Sequence, residues 1–319
     1  MEMVKIKGVE APISRLAMGT SWFEQSRQRD IDELLEAYYE AGGTMLDTGR
    51  FYNGTKTEKF LVDWLNRTGM RGKTQVTSKG GHYFVNDNNE HFPEVSRVTP
   101  KDIIDDLHFS LNHMGLDHFE VFMLHRDNLE VPVDELVDCL EEHHNKGEIG
   151  AYGLSNWTLP RVKMAMEYAK KKGYQGITAV SPSYSLATVH TARWHGCEYV
   201  NDEYAAFFKG TEATLLSWGS QGGGYFTESW TRENAPVGYV QCYFNDENAE
   251  KLKRAKELAK AKGCQPVNIA LSYILSQGLP IVPIIGPRNK EEFKVNLKSL
   301  DIKLSPQEVE YMSLRGNKL

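Results

Sequence analysis

The sequence predicts an α/β fold in which eight strand–helix units close into a (β/α)8 TIM barrel. Short segments rich in Val, Ile, Leu and Ala alternate eight times with longer segments of helical periodicity, as in a parallel sheet that is buried on both faces. An open doubly wound sheet usually carries G-x-G-x-x-G after its first strand, and that motif follows no predicted strand here. No linker divides the chain, so residues 1–319 are expected to form a single domain.

The chain begins with two short predicted strands, over about residues 4–6 and 10–13, which form an N-terminal β-hairpin with Gly8 between them. Eight barrel strands follow. In chain order they are predicted at 15–19, 44–47, 74–79, 119–125, 149–155, 177–181, 213–218 and 280–285.

Apolar residues at helical spacing predict a helix after each barrel strand. The helices are predicted at 29–41, 57–65, 100–114, 133–146, 159–172, 247–262, 266–277 and 289–298, with a less regular helix in 188–210 and a last one from Pro306.

Two helix starts carry recognisable capping signals. Thr55 and Glu58 have the Ser/Thr-x-x-Glu spacing of a capping box, in which each side chain caps the other residue's backbone amide. Thr99 precedes Pro100, and Gly115 follows the last apolar residue of the same segment. This order of cap, proline and terminal glycine predicts both ends of that helix.

The segment 80–98 interrupts the alternation. It is long, polar and rich in Asn, His and aromatic residues. Loops of this length in a compact domain are usually functional or disordered. We therefore expect long loops at the C-terminal face of the barrel, and we expect this one to shape the substrate site and to be mobile without ligand.

Composition excludes several classes of protein. Apolar residues make up 40% and charged residues 25% of the chain, with a net charge of −6, which argues against a general nucleic-acid binder. No run of 18 apolar residues indicates a membrane span, and residues 1–10 lack the apolar core of a signal peptide. The four scattered cysteines are typical of reduced thiols, so a cytoplasmic protein is expected. Composition leaves the oligomeric state open.

Polar side chains stand at the ends of several consecutive predicted strands. Active sites of (β/α)8 barrels lie at the C-terminal ends of the strands, so these side chains are expected to share one face. They are Asp47, Lys79, His125, Ser155 with Asn156, and Ser181, and Trp218 ends the seventh strand.

An acid–base site would suit this set. A phenol such as Tyr52 has an ordinary pKa of about 10 and is a poor acid at neutral pH. A buried Lys79 beside it would lower that pKa, Asp47 would keep the lysine charged, and His125 could orient a carbonyl. The alternative is purely structural, with Lys79 and Asp47 as an ion pair and His125 as a core residue.

Other chemistries are disfavoured by the spacing of candidate residues. Ser155 lacks the G-x-S-x-G context of an acyl-transfer nucleophile. The histidines lack H-E-x-x-H spacing, so no metal is expected and they are interpreted as surface residues. The histidines in question are His108, His113, His118, His143 and His144.

At this point the residues resemble a known family, the aldo-keto reductases, over almost the whole chain. The family's catalytic tetrad matches Asp47, Tyr52, Lys79 and His125, the first two in a D-T-x-x-x-Y motif. Further segments resemble its motifs Y-G-x-G-x-S-E, G-x-S-N, Q-x-x-Y-S-L, Y-S-P-L-G-x-G-x-L-T and an adenosine-phosphate segment. They lie at 52–58, 153–156, 181–186, 217–227 and 283–296.

The resemblance implies two sets of binding residues in addition to the tetrad. For a nicotinamide cofactor they are Thr20, Asp47, Ser155, Asn156, Ser181, Trp218, Gly219, Ser220, Gln221, Gly286, Arg288, Glu292 and Asn296. For the substrate they are Trp22, Tyr52, His125 and Arg126.

Three positions depart from the family's pattern. Ser181 stands where the family has Gln, Trp218 where it commonly has Tyr, and Glu292 where it has Arg or Gln. Glu292 places a negative charge near a 2′-phosphate, and Arg288 is expected to compensate, since arginine pairs with phosphate. NADP(H) is therefore expected in preference to NAD(H).

The resemblance implies an NAD(P)(H)-dependent oxidoreductase that interconverts an aldehyde or ketone and an alcohol, with Tyr52 giving or taking the proton. Polar residues at the predicted rim, among them His82, His91 and Arg126, favour a sugar-like substrate. One alternative is a nucleotide-sensing barrel subunit that binds NADP(H) and acts mainly as a binding partner. Another is a barrel lyase or isomerase that uses no nicotinamide.

Overall fold

A computed structural model describes residues 1–86 and 88–316 of the chain. Asp87, inside the predicted loop 80–98, and the last three residues lie outside the described part. The strands are β1 (Met3–Val4), β2 (Ile13–Ser14), β3 (Ala17–Gly19), β4 (Met45–Asp47), β5 (Gln75–Gly80), β6 (Tyr83–Val85), β7 (His91–Ser96), β8 (Phe119–Leu124), β9 (Ile149–Ser155), β10 (Ile177–Ser181), β11 (Thr214–Ser217) and β12 (Ile281–Ile285).

Eight of these strands form a closed parallel barrel, in the order β3, β4, β5, β8, β9, β10, β11, β12 and back to β3. Each of the eight predicted barrel strands corresponds to one of them, so the predicted (β/α)8 barrel is confirmed. The apolar strand segments that predicted the barrel arise because the strands are buried on both faces. Every residue of β4, β5, β10, β11 and β12 is buried.

The helices surround the barrel and cover its outer face. They are α1 (Gln28–Glu40), α2 (Lys56–Thr68), α3 (Pro100–Met114), α4 (Val133–Asn145), α5 (Leu159–Lys172), α6 (Asp202–Phe208), α7 (Val237–Tyr243), α8 (Asp246–Lys262), α9 (Pro266–Leu275), α10 (Lys290–Lys298) and α11 (Pro306–Met312). Three short 3-10 helices lie at Gln25–Arg27, Arg71–Lys73 and Gly222–Thr227. In the described part of the chain, no helix has the length and apolar character needed to cross a bilayer.

The N-terminal hairpin closes one end of the barrel. The predicted hairpin is confirmed, with Val4 paired to Ile13, but its strands β1 and β2 are shorter than predicted and the connecting loop is longer. Ile6 and Ile13 are buried in a cluster with Val121 and Leu216 from the barrel interior. This apolar plug fills the barrel interior at its N-terminal end, opposite the polar residues at the C-terminal ends of the strands.

The segment 80–98 is more regular than the sequence predicts. It contains the antiparallel pair β6–β7, with the rings of Phe84 and Phe92 5.6 Å apart on the exposed side. On the other side Tyr83 and Val85 are buried against Phe51. The alternation of buried and exposed residues in β6 is that of a half-buried strand. This alternation is hard to recognise in the sequence because many polar residues surround it.

The predicted helix in 188–210 is confirmed, but it occupies only the end of that segment. Only α6 is helical, and it begins where the Asn201 side chain accepts a hydrogen bond from the amide of Tyr204. The preceding residues are irregular and pass over the C-terminal end of the barrel, where the ring of Trp194 lies 5.9 Å from that of Trp218. The helix α7, in the long connection after β11, was not predicted.

The predicted capping box of α2 is also wrong. Thr55 has φ of 71° and makes no side-chain cap. Glu58 is fully buried instead, and its two carboxylate oxygens accept hydrogen bonds from the hydroxyls of Ser78 and Ser110, both at 2.9 Å. Burial raises the pKa of Glu58 to about 7, although the two hydroxyls oppose the shift.

The free energy of unfolding is expected to depend on the ionisation of Glu58. The folded state keeps the proton that the unfolded state releases between the ordinary pKa of 4.5 and about 7, so stability falls as pH rises through this window. The full effect is ~3 kcal/mol above pH 7. We expect Glu58→Gln to be more stable than the parent at pH 8 and similar to it at pH 4, as measured by urea unfolding. A difference that does not change with pH would contradict this.

Candidate functional site

The loop after β4 places Tyr52 above the end of β5. This loop continues the strand pairing, since the amide of Thr48 donates to the carbonyl of Thr77 at 2.8 Å and that of Arg50 to the carbonyl of Lys79 at 3.0 Å. A turn then closes between Gly49 and Tyr52. The backbone therefore holds the phenol directly over the lysine.

Lys79 is the centre of the site. Its ammonium group donates to Asp47 Oδ1 at 2.6 Å, to the carbonyl of Thr48 at 2.8 Å and to the hydroxyl of Tyr52 at 3.3 Å. An ammonium group has three donors, so all of them are engaged, and only 2% of the residue is exposed. The structure thus brings together the predicted Asp47, Tyr52 and Lys79.

The protonation states follow from burial and charge. Burial lowers the pKa of Lys79, but Asp47 and Tyr52 raise it by more, so the lysine is charged. Burial raises the pKa of Asp47 against the attraction of Lys79, and the 2.6 Å contact holds the two as an ion pair. For Tyr52, burial raises the pKa more than Lys79 lowers it. Lys79 thus acts on this pKa in the predicted direction, but burial outweighs it, so Tyr52 is a protonated phenol at neutral pH.

His125 lies beside this group, just after β8. Its ring is 5.5 Å from that of Tyr52 and 4.6 Å from that of His82. Burial, followed by His82, Arg126 and Lys79, lowers its pKa well below the ordinary value, so the imidazole is neutral. Among the described residues, its buried Nδ1 has no hydrogen-bond partner. A neutral imidazole with an unused ring nitrogen can hydrogen-bond a substrate.

Asn156 organises the neighbouring strand ends. Its amide nitrogen donates to the carbonyl of His125 at 3.2 Å and to Ser155 Oγ at 3.0 Å. Its oxygen accepts from the indole of Trp218 at 3.1 Å and from the amide of Glu198 at 3.3 Å. These four bonds use the full capacity of the side chain. A carboxamide bound at Asn156 would therefore have to replace one of them.

Several buried polar atoms at the strand ends are available for a ligand. In the described part of the chain, the hydroxyls of Ser181 and Ser217 have no partner. Buried polar groups nearly always have one, so a group bound at this end of β10 and β11 would satisfy them. Thr20 differs, because its hydroxyl donates to the carbonyl of Asp47 at 2.9 Å.

The ends of β11 and β12 carry the residues predicted for the far end of a dinucleotide. Gln221 donates to Asn296 Oδ1 at 2.8 Å and accepts from the amide of Gly286 at 3.4 Å. Asn296 Nδ2 is buried without a partner among the described residues, while Ser220 Oγ donates to the carbonyl of Ile284 at 2.7 Å. Gly219 has φ of 63° and begins the turn after β11.

Arg288 and Glu292 lie at the start of α10. Glu292 Oε2 accepts a hydrogen bond from the backbone amide of Arg288 at 2.7 Å, so the carboxylate occupies an amide that could otherwise bind phosphate. The Arg288 guanidinium is exposed and 5.2 Å from the ring of Trp22. The sequence interpretation missed Arg27, which covers the same ring at 4.8 Å and donates to the carbonyl of Arg288 at 3.1 Å.

The rim on the substrate side is also more aromatic than predicted. Besides Trp22 and Arg126 it includes Tyr83 from the β6–β7 hairpin, and Trp194 and Tyr199, whose rings lie within 5.9 Å of Trp218. Their position depends on irregular segments that periodicity does not predict. The concentration of aromatic residues in 188–210 was the available signal.

Two of the histidines interpreted as surface residues meet at the opposite, N-terminal side of the barrel. His143 is buried, so that interpretation is wrong for it, and its ring hydrogen-bonds to Glu148. His108 Nε2 contacts the other oxygen of the same carboxylate at 2.9 Å. These ligand atoms lie within 4.8 Å of one another, and the Glu148 carboxylate is shared by the two imidazoles.

Comparison with known proteins connects this geometry to a family. The model of the aldo/keto reductase family matches residues 15–313. The norsolorinic acid reductase stcV of Emericella nidulans is 26% identical over 316 residues, which cover 93% of this chain and 76% of that protein. An NADP(+) aryl-alcohol dehydrogenase of Phanerodontia chrysosporium is 23% identical, covering 88% and 74%. The glycerol dehydrogenase structure from Gluconobacter oxydans has a TM-score of 0.78 at 21% identity, covering 99% and 97%, and this likeness concerns the fold alone.

Proposed function

The chain belongs to the aldo/keto reductase family, and from this we propose that it is an NADP(H)-dependent oxidoreductase that interconverts a carbonyl compound and an alcohol. The observation that carries the proposal is the contact of the Lys79 ammonium with both Asp47 and the Tyr52 hydroxyl. A group held in this way serves proton transfer to or from an oxygen atom.

The residues divide the chemistry between them. Tyr52 is protonated and partly exposed towards the open end of the barrel, so it donates the proton to the carbonyl oxygen in the reductive direction. Lys79 remains charged and stabilises the phenolate that is left. His125, neutral and adjacent, orients the carbonyl by a hydrogen bond.

The same face carries polar groups that suit a nicotinamide cofactor. Such a cofactor would supply or take up the hydride at C4 of its ring. The hydroxyls of Ser181 and Ser217, buried without partners among the described residues, fit its carboxamide. Trp218, fixed by Asn156, would cover one face of the ring.

Fluorescence titration and a substrate screen test this proposal. We expect quenching of tryptophan fluorescence on addition of NADPH, since Trp218 and Trp22 lie at the site, and turnover of aldehydes or ketones. Cofactor binding without turnover of any carbonyl would favour the nucleotide-sensing alternative. Absence of binding by either dinucleotide would favour the lyase or isomerase alternative.

The preference for NADP(H) is expected to depend on Arg288. Its guanidinium is exposed at the start of α10, where it can pair with a 2′-phosphate, while Glu292 opposes binding. We expect NADPH to bind about tenfold more tightly than NADH, or ~1.4 kcal/mol. Arg288→Ala should remove most of this difference and leave the Kd for NADH nearly unchanged, as measured by fluorescence titration.

A matched control is Arg67→Ala, which removes an arginine on α2, away from this site, that pairs with Asp32. It should leave both dissociation constants unchanged. Equal losses for NADPH and NADH in Arg288→Ala would assign a structural role to Arg288. Tighter binding of NADH by the parent protein would show that Glu292 dominates.

A further inference from the structure

We propose that the substrate carries an anionic group, a carboxylate or a phosphate, and that Arg126 binds it while Tyr52 and His125 act on the carbonyl. This inference rests on the proposed function and makes its substrate class more specific. It is carried by the environment of one arginine.

Arg126 is a buried cation without a carboxylate. It is 8% exposed, and its Nη1 donates to the carbonyl of His125 at 2.9 Å. Its guanidinium lies 5.6 Å from the ring centroid of Tyr83. Its Nε is buried and has no partner, and no carboxylate lies within ion-pair distance, among the residues that the structure describes.

Two other arginines with mostly buried side chains are paired with carboxylates. Arg97 contacts Asp102 at 3.0 Å and Asp106 at 2.6 Å. Arg161 contacts Asp127, the residue next to Arg126, at 2.7 Å. The nearest carboxylate in sequence is thus already used by a different arginine. Since a buried charge is costly unless it is paired, the contrast indicates that the partner of Arg126 is a ligand.

The surrounding charges also favour an anion. Lys79 is neutralised by Asp47, whereas nothing neutralises Arg126 among the described residues. Burial and then the charge of Arg126 lower the pKa of His82 to about 3 and lower that of His91. Both imidazoles are therefore uncharged, so they add no positive charge beside Arg126 and offer it no counter-charge.

The barrel order shows that this anion is not the phosphate of a cofactor. Arg126 follows β8, whereas the dinucleotide segment with Gly286 and Arg288 follows β12. Three strands lie between β8 and β12 in either direction around the closed barrel, so the two lie on opposite sides. His125 is adjacent to Arg126 in sequence and packs on the ring of Tyr52, which puts Arg126 on the substrate side of the acid.

The test compares two substrates of nearly the same shape, 4-formylbenzoate and 4-formylbenzamide, which differ in charge. A hydrogen-bonded ion pair of this kind predicts a ratio of kcat/KM on the order of thirtyfold in favour of the carboxylate. Arg126→Met should bring the ratio close to one, and Arg126→Lys should keep part of it. The ratio is the readout, because it is insensitive to a general loss of active enzyme.

Arg193→Met is the matched control. Arg193 lies in the segment 188–210 over the same end of the barrel, but its guanidinium stacks on Trp194 at 4.0 Å and Tyr239 at 3.8 Å. It should leave the ratio unchanged. A parallel comparison of glyceraldehyde 3-phosphate with glyceraldehyde tells whether the anion is a phosphate or a carboxylate, according to which pair gives the larger ratio.

A ratio near one for both pairs in the parent enzyme would overturn the proposal, as would a ratio that survives in Arg126→Met. Calorimetric binding of terephthalate against terephthalamide, in parent and Arg126→Met, separates this inference from the proposed function. If no carbonyl is reduced but terephthalate binds through Arg126, only the oxidoreductase proposal fails. If carbonyls are reduced and neither anion is favoured, only the anion proposal fails.

Discussion

Tyr52→Phe is expected to lower kcat for carbonyl reduction by about 10²–10⁴, the range found for positioned acid–base groups, while the Kd for the nicotinamide cofactor stays within about twofold. Only the hydroxyl that contacts Lys79 at 3.3 Å is removed, and the ring can still pack against His125. Steady-state kinetics with the best aldehyde found, and fluorescence titration with NADPH, measure the two effects.

The matched control is Tyr168→Phe. Tyr168 is a tyrosine of α5 whose hydroxyl contacts Asp138 at the surface, so its loss should leave kcat unchanged. A Tyr52→Phe enzyme that retained activity within a few-fold of the parent would exclude Tyr52 as the acid. An equal loss of cofactor binding would show that the substitution had disturbed the site as a whole.

Lys79→Met is expected to have the largest effect on stability. It leaves the Asp47 carboxylate buried without its counter-ion, and breaking a buried pair in this way costs about 3–5 kcal/mol in free energy of unfolding. It also removes the donor to Tyr52, so turnover should be lost as well. Urea unfolding at pH 7 measures the first effect and steady-state kinetics the second.

The loss in free energy of unfolding caused by Lys79→Met should be smaller at low pH. Burial raises the pKa of Asp47 above its ordinary value, and in the variant nothing opposes this shift. The folded variant therefore holds a proton that the unfolded chain releases, so its stability falls as pH rises through the ordinary carboxyl pKa. Unfolding curves at pH 4 and pH 7 would show the change.

The double variant Asp47→Asn/Lys79→Met is the control for this mechanism. It removes both charges, so it should recover much of the stability that Lys79→Met loses, while turnover remains absent. If the double variant were no more stable than Lys79→Met, the loss would arise from packing around the lysine stem.

The barrel and the clustering of Asp47, Tyr52 and Lys79 could be predicted from the sequence because both depend on short-range patterns. Strands such as β9 and β10 are continuous apolar segments with sharp ends, and their predicted bounds match the structure. In a parallel barrel the ends of all strands lie on one face. Polar residues at strand ends, such as Asp47 and Lys79, are therefore brought together once the fold is known.

What the sequence did not predict depends on contacts between distant segments. The Ser/Thr-x-x-Glu pattern at Thr55 and Glu58 has the right spacing for a cap. In the fold, however, Glu58 is buried between α2, β5 and α3, where its carboxylate accepts hydrogen bonds from Ser78 and Ser110. The net shift in the pKa of Tyr52 could not be predicted for the same reason. Residue spacing does not reveal how deeply the phenol is buried, and burial outweighs the charge of Lys79.

The sequence alone determined that this is a barrel with Asp47, Tyr52, Lys79 and His125 at one end, since strand periodicity and the positions of strand ends are local properties. Only the tertiary structure decided which polar groups are already satisfied. Asn156, fully bonded, and Arg126, buried without a carboxylate among the described residues, look alike in sequence as polar residues after a strand. Whether such a side chain is already hydrogen-bonded depends on residues from other strands, and these come next to it only when the barrel closes.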